Sequence, residues 1–354
     1  MTADNPTITL DELRLAARNH AMPLEALRHP LTPVGLHYLL IHFDIPAVDA
    51  ASFRLEVDGL VGSPLSLSLD DLRSRPAVEL PVTMECAGNG RALLEPHVVS
   101  QPWVLEAVGT ASWRGTPLRG VLAEAGVLDG AVEVLFTGLD HGFEGEEELD
   151  YQRSLSLMDA YRPDVLLAYE MNGQPLPQQH GFPLRLVVPG WYGMTSVKWL
   201  ARITLVDRPF EGYYHVSSYR LTQSEDDPGE PVTRMLPRAL MAPPGYPEYH
   251  TRARIVPAGE CLLEGRAWSG CGEIVAVEVS TDGAETWAAA DLERDLDAAS
   301  AWRPWTFEWD AEPGEAELCC RARDEAGNEQ PLEPGWNAGG YCNNAVQRIS
   351  VTVR

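Results

Sequence analysis

Lysine is almost absent from this chain. Of its 27 lysines and arginines, only Lys198 is a lysine. Codon bias explains the scarcity but not the survivor, because a compact, strongly hydrated ammonium is not interchangeable with a guanidinium fork. Lys198, in Thr195-Ser196-Val197-Lys198-Trp199-Leu200, is therefore read as a binding residue. Positive charge is short in general. Fifty-two acidic residues leave a formal charge of −25, which argues against nucleic acid and anionic membranes as partners and leaves a cationic protein as a candidate. The six cysteines include no C-x-x-C pair, so zinc ribbons and thioredoxin-like sites are not expected. No apolar run approaches the length of a membrane span. Met1-Thr2-Ala3-Asp4-Asn5-Pro6 lacks the basic start and apolar core of a secretory signal, so cytoplasmic residence is the expectation. There is no G-x-G-x-x-G after a strand and no phosphate loop, which moves nucleotide enzymes out of the front rank.

What is present is an ordinary globular composition: 354 residues, 45% hydrophobic and 22% charged, enough for two to three domains. Apolar spacing predicts a helix over 10–27, closed off by Pro30 and Pro33. Alternation predicts a strand over 52–60, and Ser68 caps a helix starting at Leu69. A strand over 132–136 runs into a predicted loop, Gly138-Leu139-Asp140-His141-Gly142, and 184–188 reads as a buried strand between chain breakers. Short helices among strands, without a βαβ rhythm, indicate mixed α+β. Linker chemistry follows in Ser224-Glu225-Asp226-Asp227-Pro228-Gly229-Glu230-Pro231 and Pro243-Pro244-Gly245-Tyr246-Pro247. Beyond it, alternating runs with Asp-Gly and Ala-Gly-Asn turns predict a small β-sandwich. The expected division is a catalytic domain over 1–230 and a sandwich over 231–354. Cysteines 261, 271, 319, 320 and 342 fall in the latter and are expected to be free and buried.

The chemistry concentrates before residue 225. Cys86 leaves an apolar stretch and enters a turn of Gly88, Asn89 and Gly90, residues that permit close backbone approach and positive φ. Arg91 follows. A neighbouring cation lowers a thiol's pKa, and the thiolate is the form that attacks substrates or binds metals. Packing alone is the plain alternative. His180, Arg185 and Lys198 bracket the buried strand, a grouping of cations suited to a phosphorylated ligand.

Four segments together resemble the sulfite oxidase family of molybdenum enzymes: Glu85-Cys86-Ala87-Gly88-Asn89-Gly90-Arg91, Leu167-Ala168-Tyr169-Glu170-Met171-Asn172-Gly173-Gln174-Pro175-Leu176-Pro177, His180-Gly181-Phe182-Pro183-Leu184-Arg185 and Val197-Lys198-Trp199-Leu200. Ala267-Trp268-Ser269-Gly270 and Ser280-Thr281-Asp282-Gly283 resemble that family's immunoglobulin-like dimerisation domain. The resemblance runs from about Thr32 to the C-terminus. It implies molybdopterin, no haem, and Cys86 as the protein's one ligand to molybdenum. Tyr38, His42, Asp140, His180, Arg185, Ser196, Val197 and Lys198 match positions that hold the pterin and its phosphate. Arg91, Trp103 and Tyr219 match the substrate pocket: a cation to orient an anion, a wall, and a hydrogen-bond donor. The segment 38–42 matches the family's Arg-Asn-His loop, and the literal Arg18-Asn19-His20 is read as a decoy too far upstream.

Two departures stand out. Leu40 and Gly339 occupy positions where the resemblance calls for anion-binding arginines. Charge-assisted hydrogen bonds contribute roughly 1.5–3 kcal/mol each, so losing two weakens anion binding by orders of magnitude. His37, His97, His141 and His215 are candidate replacements that no spacing argument separates. The expected function is oxygen-atom transfer on sulfite or a related small oxyanion, with electrons leaving to an external acceptor, a cationic redox protein being a candidate, and with a homodimer left open. A cofactor-free cysteine nucleophile and a non-catalytic binding protein are the alternatives.

Overall fold

A computed structural model describes residues 8–224, 226–296 and 298–354. The segment Met1-Thr2-Ala3-Asp4-Asn5-Pro6 and linker residue Glu225 lie outside them. The first helix, α1 (Leu10–Arg18), opens on a Thr9–Glu12 capping box and is shorter than the expected 10–27. Asn19 turns to extended backbone (φ −114°, ψ 162°), and His20 pairs with Leu39 as an isolated bridge. A separate 3-10 turn, Leu24–Arg28, follows. The two pieces differ in burial as well: Ala26 and Leu27 enter the core, whereas Leu10, Leu13 and Leu15 of α1 are exposed, so apolar spacing alone does not register the break.

Two sheets build the first part of the chain. One orders strands β1 (Leu55–Gly59), β2 (Leu65–Leu67), β5 (Glu133–Glu144), β6 (Glu147–Ser156) and β10 (Leu200–Val206) as β2-β1-β10-β5-β6. Only β1–β10 is parallel. The other orders β3 (Val78–Glu85), β4 (Val108–Pro117), β7 (Leu166–Met171) and β8 (Gln174–Pro175), with β9 (Arg185–Val187) beside β7. Helix α2 (Leu69–Arg73) has the Ser68 cap expected of it. The predicted loop 138–142 is instead strand. A register shift between Thr137 and His141 lets β5 continue into a long hairpin, with Asp140 inward while Leu139 and His141 face out.

The rest of the chain folds as two facing antiparallel-rich sheets of an immunoglobulin-like sandwich, one from Arg238–Met241, Gly259–Trp268, Asp291–Leu292 and Arg303–Ala311. The α+β and sandwich classes are thus as expected. All six cysteines are free, but only Cys86, Cys319 and Cys320 are buried; Cys271 is exposed, and Cys261 and Cys342 are half-buried on strand edges and turns.

The sandwich grips the Cys86 turn. Glu85, 1% exposed, stands 2.9 Å from Arg238 Nε and accepts Trp268 Nε1 at 2.9 Å and Asn89 Nδ2 at 3.0 Å. Asn343 Nδ2 donates to Gly90 O at 2.8 Å, and Cys342 N donates to Ala87 O at 2.8 Å. Removing one partner from a buried ion pair leaves the other charge uncompensated, at about 3–5 kcal/mol. Arg238→Met should therefore destabilise the protein by about that amount in denaturant melts. Adding Glu85→Gln should recover a large part, and a double variant no more stable than Arg238→Met would contradict the pairing.

Candidate active site

Strand β3 delivers Cys86 into a turn whose geometry explains its glycines. A Cβ on Gly88 would stand 2.6 Å from Arg91 Nη1, and Gly90 has φ +91°. Asn89 locks the turn by donating to Leu105 O at 2.9 Å and accepting Ala107 N at 3.1 Å. The thiol is buried, and burial raises its pKa against the pull of the Arg91 charge. Contrary to the lowering expected from Arg91, desolvation outweighs one guanidinium at this thiol. Among the described residues no histidine hydrogen-bonds the Cys86 sulfur; His42, which lines the same cavity, pairs with Tyr219 instead.

Behind Cys86 a narrow cleft brings together Tyr38, His42, Asp140, His180, Arg185, Ser196 and Lys198. Val197 does not reach it; its side chain belongs to the core, and only its backbone ties β9 to the Lys198 segment through Leu186 N→Val197 O (2.8 Å). Arg185 lies over Trp113 (4.7 Å) and donates to His180 O (3.1 Å) and Ser196 O (3.0 Å). Lys198 lies over Trp199 (4.6 Å) and donates to Leu40 O. Neither has a carboxylate within 4 Å among the described residues. Burial pulls Arg185 down to about 10 and lowers Lys198, while the same burial raises Asp140. Asp140 Oδ1, His180 Nε2 and Thr195 Oγ1 are buried without hydrogen-bond partners.

A second, outer and wider cavity of about 350 Å³ joins the cleft at Cys86, Leu40, His42 and Tyr219. Arg91, Trp103 and Tyr219 line it, as expected. Arg91 is held by Gly339 O (3.0 Å) and Gln101 O (3.3 Å) and stacks on Tyr341 (5.0 Å). Tyr219, held at φ +55°, meets His42 Nε2 through its hydroxyl at 2.6 Å. Burial holds His42 neutral, at about 3, and raises Tyr219 well above the usual phenol range, so the phenol donates and the imidazole accepts.

Of the four spare histidines only His37 reaches the cleft. His97 binds Glu12 (2.9 Å), His141 sits between Glu148 and Asp150, and His215 meets Ser154 (3.0 Å). The tripeptide read as a decoy has a local role. Asn19 Oδ1 accepts Ile41 N at 2.8 Å, Asn19 Nδ2 donates to Gln101 at 2.9 Å, and Arg18 donates to Phe43 O, so the segment fixes the 39–43 loop. Tyr341, Tyr214 and Arg153 are site elements that no local motif announces.

Two family models match, the oxidoreductase molybdopterin binding domain over residues 42–214 and the Mo-co oxidoreductase dimerisation domain over 246–354. The sulfite oxidase of Gallus gallus is 40% identical over 90% of this chain and 72% of its own length. The chain belongs to the sulfite oxidase family. Mitochondrial sulfite oxidase of Mus musculus is 37% identical over 91% of the chain, which spans 62% of that relative. A nitrate reductase of Hordeum vulgare is 36% identical over 91% of the chain and 39% of its own length. Among solved structures, the sulfane dehydrogenase SoxCD of Paracoccus pantotrophus is similar with a TM-score of 0.81 at 28% identity, covering 94% of this chain and 86% of that one.

The residues fit a molybdenum–pterin group. Among the described residues no cluster of three or more His, Cys, Asp or Glu could hold a metal ion, so a metal at Cys86 must bring its other ligands with it. Unpaired Lys198 and Arg185 suit a terminal phosphate, and the orphaned Asp140 and His180 atoms suit a polar ring system.

Burial also sets a pH dependence. His37 is pulled down to about 4 by burial, chiefly, and by the Arg185 and His20 charges. Its unfolded form takes up a proton below about 6.5 while the folded form does not, so its stability contribution is complete above that pH and is lost as pH falls. His37→Gln should flatten the fall in unfolding free energy between about pH 6.5 and 4.5, by about 1.4 kcal/mol per pH unit. Equal slopes for the two proteins would contradict a neutral His37.

Proposed function

We propose that this protein oxidises a small sulfur oxyanion of the sulfite type by oxygen-atom transfer at a molybdenum–pterin cofactor. The observation that carries the reading is the pair of cations without a carboxylate contact, Arg185 and Lys198, walled into the cleft behind the buried Cys86 sulfur that lines it. Sulfite plus water then gives sulfate, two electrons and two protons. Bound in the cleft, the cofactor supplies the two-electron oxygen-atom chemistry.

The chain's own groups do the positioning. Cys86 holds the metal, and Lys198 and Arg185 neutralise the phosphate. Arg91 is fixed by Gly339 and Gln101 so that its remaining donors face the outer cavity, where they orient an anion. Tyr219 keeps its proton and, by turning its hydroxyl from His42, donates to a substrate oxygen. Trp103 closes the wall beside the sulfur. Electrons leave to an external one-electron acceptor, and the −25 charge favours a cationic redox protein. The match to a dimerisation domain supports a homodimer formed through the sandwich.

Sulfite-dependent reduction of a one-electron acceptor by the loaded protein tests the reading. Cys86→Ser should keep the fold and lose turnover by at least about a thousandfold. Lys198→Met should leave the purified protein with markedly less bound pterin, read by fluorescence after denaturation. Full activity in Cys86→Ser, or undiminished pterin in Lys198→Met, would contradict the assignment.

A further inference from the structure

Among the described residues six arginines are buried. Arg238, Arg254 and Arg266 each have a carboxylate within reach: Glu85 at 2.9 Å, Glu25 at 3.3 Å and Asp295 at 2.5 Å. Arg91, Arg153 and Arg185 have none within 4 Å among the described residues. Two of these already have roles, Arg185 toward a phosphate and Arg91 toward the outer cavity. Arg153 has none.

Arg153 sits on β6 two residues after Tyr151, on the inward face, and is 4% exposed. It donates to Tyr214 O, and its Nε has no hydrogen-bond partner. Its guanidinium carbon lies 5.5 Å from the centre of the Tyr219 ring. Tyr219 packs on Tyr341 at 5.1 Å, and Tyr341 carries Arg91 at 5.0 Å. The contacts therefore run in series, Arg153 to Tyr219 to Tyr341 to Arg91, along the aromatic wall of the outer cavity. In a chain with 52 acidic residues, folding a guanidinium away from every one of them is costly unless its charge is used. Glu144, the carboxylate on the rim, is engaged instead by the Tyr214 hydroxyl at 2.8 Å.

We propose that Arg153 is the second anion-selecting cation of the substrate cavity, a positioning residue that acts through Tyr219 and favours doubly over singly charged oxyanions. The inference rests on the proposed function for the nature of the substrate, but its test does not need turnover. A cation lying over an aromatic ring in a water-poor wall stabilises negative charge on the ring's far contacts, and the stabilisation scales with the charge held there. A dianion thus gains about twice what a monoanion gains, which becomes a squared ratio of affinities.

Sulfate and chloride binding to the loaded protein, measured by titration calorimetry, tests this. In Arg153→Met, sulfate affinity should fall about tenfold and chloride affinity about threefold, with cofactor content unchanged. Arg153→Lys keeps the charge and should hold sulfate affinity within about threefold of wild type. A purely structural role would weaken both anions by one common factor and would not be rescued by lysine. Unchanged sulfate affinity in Arg153→Met, a common factor for both anions, or a wild-type protein that binds no sulfate overturns the inference. A wild-type protein that binds sulfate yet does not oxidise sulfite overturns the proposed function while leaving the Arg153 comparison decisive.

Discussion

Buried cations with no carboxylate in direct contact are the constraint around which this molecule is organised. Away from the cleft, arginines taken out of water are matched with Glu85, Glu25 or Asp295. Around it, Arg91, Arg153, Arg185 and the half-buried Lys198 are given only backbone carbonyls and aromatic faces. Carbonyl dipoles and ring quadrupoles offset part of the desolvation cost of a cation but do not cancel its charge. Burial accordingly lowers the pKa of Arg153, Arg185 and Lys198. Such an arrangement is completed by anions from outside the chain, one phosphorylated and resident, one small and transient.

The sandwich is part of that arrangement. Its Arg238, Trp268 and Asn343 reach the residues on either side of Cys86, and Tyr341 supplies the surface on which Arg91 lies. The sulfur is therefore placed by two domains at once, from β3 on one side and the sandwich on the other. A domain whose sequence resembles a dimerisation module thus also braces the turn that carries Cys86.

Much of the site was legible because it is local. The Gly88-Asn89-Gly90 turn, the His180 to Arg185 run and the solitary Lys198 each announce themselves within a few residues, and seven of the eight residues expected around the pterin beside Cys86 converge on one cleft. The exception, Val197, lies in the bend that follows the 3-10 turn Gly193–Thr195, with its side chain in the core. What the chain did not reveal is long-range. Asn19 reaches Ile41 and Gln101, and Arg153 reaches Tyr219, across separations that no periodicity encodes. The long β5 hairpin was hidden by Gly138 and Gly142, which read as a loop until pairing with β6 is known. The Cys86 pKa was misjudged because Arg91 is visible in sequence and the depth of burial is not.

The most direct measurement of the central claim is phosphorus-31 NMR of the loaded protein across pH 5 to 8. A phosphate monoester free in water titrates with a second pKa near 6. Held between Lys198 and Arg185, it should give one resonance that stays dianionic and does not shift through that range, and Lys198→Met should restore the titration. A resonance that titrates like the free monoester, or a loaded protein with no phosphorus signal, would contradict the account.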